Sequence, residues 1–233
     1  SLSQRIFVAL KTAGHTVSIE FDINDNLTRE AIELFGPDVI LAPYLKRAIP
    51  ADIWQNHLCL ILHPGVIGDR GPSALDWAIL RGDDTWGVTV LEAVAEMDAG
   101  PVWATQNFEM RATTKSSLYR REVADAALVA IFEALTKIGT GGETHSLRQM
   151  LPAVLQKERS INWMQDSTKT VLGKIRASDG VPGVRDGEYF LFDAHEAKLN
   201  GKPGAVIATS GPAICRATVD GAVWIGHMRD AKQ

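Results

Sequence analysis

The chain has 233 residues, 45% of them hydrophobic and 22% charged, with a net charge of -4. That length holds one large domain or a domain with a small appendage, and the acidic balance gives no support to a nucleic-acid or anionic-membrane partner. Two cysteines, Cys59 and Cys215, make neither a disulfide framework nor a zinc spacing and fit a reduced, cytoplasmic setting, and no apolar stretch reaches the roughly 18 residues of a membrane span.

Leu2, Ile6, Phe7 and Leu10 recur at helical spacing, with Gly14 placed to end the helix. Val17, Ile19 and Phe21 alternate like a strand over His15–Phe21. Asn24–Thr28 is a turn that caps a second helix, which carries Ile32 and Leu34 and closes at Gly36. Apolar strands are expected over Val39–Leu41 and Leu58–Leu62, on either side of a brief helix at Pro50–Trp54. Next come a helix over Ser73–Leu80, strands over Trp86–Val90 and Val102–Phe108, and a long amphipathic helix from Ser116 to Ile138. Helices alternating with apolar strands argue for an α/β fold with a mainly parallel, doubly wound sheet. Because the chain opens in a helix, a strand is expected to precede Ser1 in the natural protein.

After the Gly139–Gly142 loop the texture changes. Tyr189–Phe192, Ala205–Thr209 and Ala222–His227 are short strands separated by Gly, Pro and Asp, which suggests a small β-rich domain. The expected division is 1–152 and 160–233, with the boundary within Pro152–Arg159.

The chemistry-bearing residues cluster in the first part. His63 follows the apolar run Leu60–Leu62 into Pro64-Gly65, at the carboxyl end of a strand, where ligands bind in open α/β sheets. A histidine there either moves protons near neutral pH or caps the loop. Asp98, between two strands and close to Gly100, either orients that histidine or serves as a turn residue. Arg70 is suited to bidentate binding of a phosphate or carboxylate, or to a local pair. Ser73, with Asp76 three residues on, most simply caps the helix from Ala74; a ligand contact is the alternative. Tyr44, Leu45, Lys46 and Arg47 form either a solvated loop or a ligand-covered one, since Tyr44-Leu45 is costly to leave bare.

His63-Pro64-Gly65, Arg70-Gly71, Trp77-Ala78, Gly82-Asp83, Gly87-Val88-Thr89 and Met97–Pro101 occur in the order seen in folate-dependent formyltransferases. The chain resembles that family from about Val39 to Phe108. Ile161–Gln165 and Gly173–Val184 resemble the start of the family's small carboxyl-terminal domain. The resemblance implies 10-formyltetrahydrofolate as donor, no metal, and a catalytic pair in which Asp98 orients His63. His63 would manage protons and help stabilise the tetrahedral oxygen. It also places Tyr44, Leu45, Lys46, Arg47, Arg70, Ser73 and Gly100 on the folate side.

Ile61 stands where the family has its oxyanion-binding Asn. That change and the altered loop Gly65–Ala78 are similar to a hydrogenase-maturation branch of the family. The similarity implies the thiol of coenzyme A as acceptor, in the first half of CO-ligand synthesis for a nickel–iron centre. It also implies an enoyl-CoA-hydratase-like partner domain outside these 233 residues. Ile61 also leaves open a catalytically inactive folate-binding or regulatory module, because losing an oxyanion donor costs about 3–4 kcal/mol. A methionyl-tRNA or other amine-directed formyltransferase is disfavoured. From Leu151 onward there are 11 Lys and Arg against 9 Asp and Glu, a weak surplus for a phosphate-binding surface. A dinucleotide fold is disfavoured too, because no G-x-G-x-x-G follows a strand.

Overall fold

The computed structural model describes residues 1–45, 47–180 and 182–231. They divide into two compact units: 1–71 with 85–109 and 120–151, and 72–84 with 110–119 and 152–233. The second unit's long segment begins at Pro152, yet it also takes in two earlier stretches, so the grouping is not a single cut of the chain.

In the first unit, α1 (Leu2–Thr12) starts with a capping box between Ser1 and Gln4 and buries Ile6 and Leu10. Asn24 accepts the N–H groups of Asn26 and Leu27 to begin α2 (Asp25–Phe35), and Gly36 closes it in the left-handed conformation. The sheet is ordered β1 (Ile40–Ala42), β2 (Cys59–His63), β3 (Thr85–Glu92) and β4 (Val102–Glu109). Helix α3 (Ala51–Trp54) lies between β1 and β2 in the chain.

Only β1 and β2 are parallel; β2–β3 and β3–β4 are antiparallel, so the expected mainly parallel sheet is corrected to a mixed one. Trp86–Leu91 is buried on both faces, and burial on both faces writes an apolar run whatever direction the strand takes.

The strand expected over His15–Phe21 is not formed. Ile19 and Phe21 alternate but stand exposed, Phe21 at 78%, in backbone with no regular structure. The long helix expected over Ser116–Ile138 forms as one unbroken helical run over 115–136, in which a π-helical turn at Tyr119–Val123 joins α5 (Lys115–Leu118) to α6 (Ala124–Thr136). Helix α6 packs on β3 and β4 and buries Ala127, Ala130, Ile131 and Ala134, and the three alanines allow close approach. The other face of β2 packs Cys59 and Ile61 against Ile53 and Ala93.

The second unit holds an antiparallel sheet ordered β5 (Val184–Asp186), β6 (Tyr189–Ala197), β9 (Ala222–Asp230), β8 (Ala213–Ala217) and β7 (Val206–Ser210). Helix α7 (Thr168–Arg176) covers it, burying Val171, Leu172 and Ile175 against Leu191, Val223 and Ile225. Helix α4 (Ala74–Arg81) also belongs to this unit and contacts α7. Residues 152–159 are tied to α4 by three interactions. Trp77 Nε1 donates to Pro152 O, Ser73 Oγ accepts from Val154 N–H, and Asp76 receives Arg159 as well as Lys115.

Asp220 fastens the start of α7. One carboxylate oxygen accepts the Thr168 N–H at 2.7 Å and the hydroxyls of Thr168 and Thr218. The Thr168 backbone bond is the main cause of its lowered pKa. A depressed folded-state pKa gives stability that is present above the unfolded carboxyl value and lost as pH falls through the folded one. Asp220→Ala is therefore expected to lower Tm at neutral pH, with the gap to the parent closing below about pH 4. Thermal melts at several pH values check this; a gap independent of pH overturns it.

Candidate active site

The site grows from β2. Its apolar residues carry the backbone into the core, and His63 ends the strand opposite Thr89 of β3. The loop that follows is pinned from β3, because Trp86 Nε1 donates to Pro64 O and Thr89 Oγ to Gly65 O, both at 2.8 Å. Asp69 N–H then donates to Val66 O, a turn that sends the chain back toward His63. The result is a buried pair, with His63 Nε2 2.9 Å from Asp69 Oδ2 and both side chains 5% exposed.

Asp69, Arg70 and Gly71 each reach a different target. Asp69 takes His63. Arg70 donates to Met97 O at 3.0 Å and to a Glu96 carboxylate oxygen at 2.7 Å. Gly71 N–H donates to Asp98 Oδ2 at 3.0 Å. Asp98 sits at φ 51, a conformation uncommon for a residue with a side chain, and the Gly71 bond helps hold it there. Its Oδ2 lies 3.6 Å from His63 Nδ1, within ion-pair range but beyond a hydrogen bond. Two carboxylates thus flank the ring, Asp69 buried and Asp98 partly buried, and the closer is the one the sequence did not single out. The available signal was an acidic residue six positions after His63 in a loop with glycines at 65, 68 and 71.

The other expected residues fall as follows. Tyr44 and Leu45 are both exposed, Tyr44 at 71%, just beyond the carboxyl end of β1. Since β1 and β2 are parallel, with Ala42 paired to Ile61, this loop and His63 leave the sheet at the same end. Lys46 lies outside the described residues. Arg47 is committed to Asp22 and Asp25, and its guanidinium holds the Asp22 carboxyl below its ordinary pKa. Arg70 is buried and held by the 96–97 turn, the local pairing that the sequence left open beside anion binding. Ser73 stands at the N-cap position of α4 but makes no side-chain cap bond; its hydroxyl serves Val154 instead. Gly100 lies against the Glu92 carbonyl, where any Cβ would collide, so its lack of a side chain serves a backbone crossing.

Ile61 presents only hydrocarbon, packed with Ile53, Cys59 and Ala93. Cys59, two residues before it, has a thiol pushed up to about 11, first by burial and then by the Glu92 charge. Among the described residues, no group of three or more His, Cys, Asp or Glu could hold a metal, and no helix is long and apolar enough to cross a membrane.

An α/β sheet ending in a histidine between carboxylates, joined to an antiparallel β unit, defines a class. Residues 16–135 match the formyl transferase family and residues 154–233 its carboxyl-terminal domain, and the chain belongs to the formyl transferase family. It is 49% identical over 98% of its length to the hydrogenase maturation factor HoxX of Bradyrhizobium diazoefficiens, covering 43% of that protein. It superposes on HypX from Aquifex aeolicus, crystallised in complex with tetrahydrofolic acid, with a TM-score of 0.91. That match has 47% identity over 99% of this chain and 42% of the HypX chain. Methionyl-tRNA formyltransferase from Clostridium thermocellum shares the fold at a TM-score of 0.68 and 17% identity, over 99% of this chain and 95% of that one. The chain spans less than half the length of the HoxX and HypX relatives it matches.

A thiol with so high a pKa is a poor nucleophile at neutral pH. Native protein at pH 7.5 is therefore expected to leave Cys59 unmodified by iodoacetamide, with labelling appearing on denaturation. Peptide mass spectrometry reads both states, and rapid native labelling overturns the assignment.

Proposed function

We propose that this chain transfers the formyl group of 10-formyltetrahydrofolate to the thiol of coenzyme A, as the first half of CO-ligand synthesis for a nickel–iron hydrogenase. The observation that carries the reading is the solvent-shielded His63 at the end of β2, in a chain 47% identical to a HypX that binds tetrahydrofolic acid. The exposed Tyr44 and Leu45, leaving the sheet at the same end as His63, offer apolar surface for the folate ring. The additional length of the HoxX and HypX relatives leaves room for an enoyl-CoA-hydratase-like partner domain that uses the product.

In this mechanism His63 takes the proton of the acceptor thiol, and the sulfur attacks the formyl carbon. The carbonyl oxygen gathers charge; as it re-forms the double bond, the bond from carbon to the folate nitrogen breaks. His63 returns its proton to that nitrogen. The products are a formyl thioester and tetrahydrofolate. Asp98 holds the wall of the site beside His63 Nδ1, and Ile61 keeps that wall dry, which limits loss of the formyl group to water.

The test is incubation with 10-formyltetrahydrofolate, with and without coenzyme A, and product analysis by mass spectrometry. A formyl thioester that needs coenzyme A is expected, and His63→Ala should reduce it by about 10²–10⁴-fold while folate binding stays within a few-fold. Formate alone overturns the acceptor; no turnover of the folate with either mixture favours an inactive folate-binding module.

Ile61→Asn probes the dry wall. It is expected to raise formate release relative to thioester yield, at a stability cost of about 1–3 kcal/mol if the amide finds no partner. An unchanged ratio in a folded, folate-binding variant would show that Ile61 only packs.

A further inference from the structure

We propose that Asp69 is the positioning residue for His63, holding Nε2–H so that the ring presents Nδ1 as its proton-accepting atom. The proposal deepens the formyl-transfer reading and rests on it for its kinetic arm only. An ionised carboxylate accepts hydrogen bonds and donates none, so the 2.9 Å contact places the proton of a neutral ring on Nε2. Asp98 does not compete for that proton. It lies at the opposite nitrogen, beyond hydrogen-bond reach, and its facing oxygen already accepts Gly71 N–H.

The loop is built around this contact. A Cβ at Gly65 would collide with both His63 Nε2 and Asp69 Oδ2, so glycine leaves the space that the pair occupies. Trp86 and Thr89 fix the carbonyls of residues 64 and 65, and the 66–69 turn brings Asp69 back. From the outer side, Arg148 N–H donates to Gly68 O and Leu151 N–H to Arg70 O, so the residues on both sides of Asp69 are held as well. Ile61, two residues before His63 on its own strand, has no polar atom to offer. Burial of both side chains shields the pair from water, which strengthens its hold on ring orientation and tautomer. A carboxylate fixing a histidine's tautomer while the other nitrogen handles the proton is the division of labour in hydrolase triads.

The experiment uses the 233-residue chain, its Asp69→Ala and Asp69→Asn variants, and ¹⁵N-histidine NMR, with the His63 signals assigned by their loss in His63→Gln. The parent is expected to show His63 as the Nε2–H tautomer. Asp69→Ala should shift His63 toward a mixture and lower kcat by about 10²–10⁴-fold with folate KM within threefold. Asn keeps an accepting oxygen at the same place, so Asp69→Asn should keep the Nε2–H tautomer and recover at least tenfold of the lost rate. An Nδ1–H ring in the parent overturns the proposal, as does Asp69→Ala with kcat within twofold of the parent. A rate loss in Asp69→Ala with His63 signals unchanged overturns it also, as does Asp69→Asn as slow as Asp69→Ala. If the parent transfers no formyl group, the formyl-transfer reading fails while the tautomer measurements still decide the role of Asp69.

Discussion

A histidine buried between two carboxylates is an expensive arrangement, and the first unit is organised around keeping it satisfied. Unpaired, a buried charge costs several kcal/mol. Here each member has a partner: His63 has Asp69, Asp98 has the Gly71 N–H, and the turn that carries Asp98 has Arg70. The partners come from three consecutive residues, so their spacing is set by covalent geometry rather than by separate elements. A shift of the loop by one residue would undo all three contacts at once.

That dependence explains features that look unrelated in isolation. The apolar run of β2 fixes where His63 begins. Trp86 and Thr89 of β3 act less as core residues than as anchors for the carbonyls of the loop. Glycines serve two separate purposes: at 65 the space is needed by polar atoms, and at 100 by the Glu92 backbone. The site is therefore rigid on the side of the histidine, while the Tyr44–Leu45 loop at the same end of the sheet is exposed. In the proposed reaction, a rigid histidine beside an accessible apolar loop would let the donor enter and leave while the proton-handling group stays in place.

The second unit solves its polar problems in the same local manner. Asp220 gathers the first turn of α7, Asp76 gathers Lys115 and Arg159, and Asp179 accepts the backbone and hydroxyl of Ser116. In each case one carboxylate satisfies more than one donor, and at least one of them comes from a distant stretch of sequence. Such contacts tie residues 72–84 and 110–119 to the long carboxyl-terminal segment, and they account for a unit assembled from three pieces of chain.

What the sequence by itself determined is what depends on near neighbours. Asn24 and Gly36 bracket α2 because a cap and a left-handed terminus are properties of a few adjacent residues. The run 59–62 lies in a largely buried strand, and His63 stands at its end. The family could be recognised because its short motifs keep their order. Only the tertiary structure decided the rest. Residues 15–21 alternate like a strand, but a strand needs a partner. Helix α7, which contains Gly173 and is rich in β-branched residues, has weak local preference and is held by packing on β6 and β9. Strand direction leaves no trace in an apolar run. Ser73 looks like a cap until Val154 arrives from 81 positions away to take its hydroxyl. Asp98 stood out as a candidate partner for the histidine, and the backbone path gave the shorter contact to Asp69. Hydrogen-bond partnership is settled at the scale of tenths of an ångström, and only the folded chain sets distances that fine.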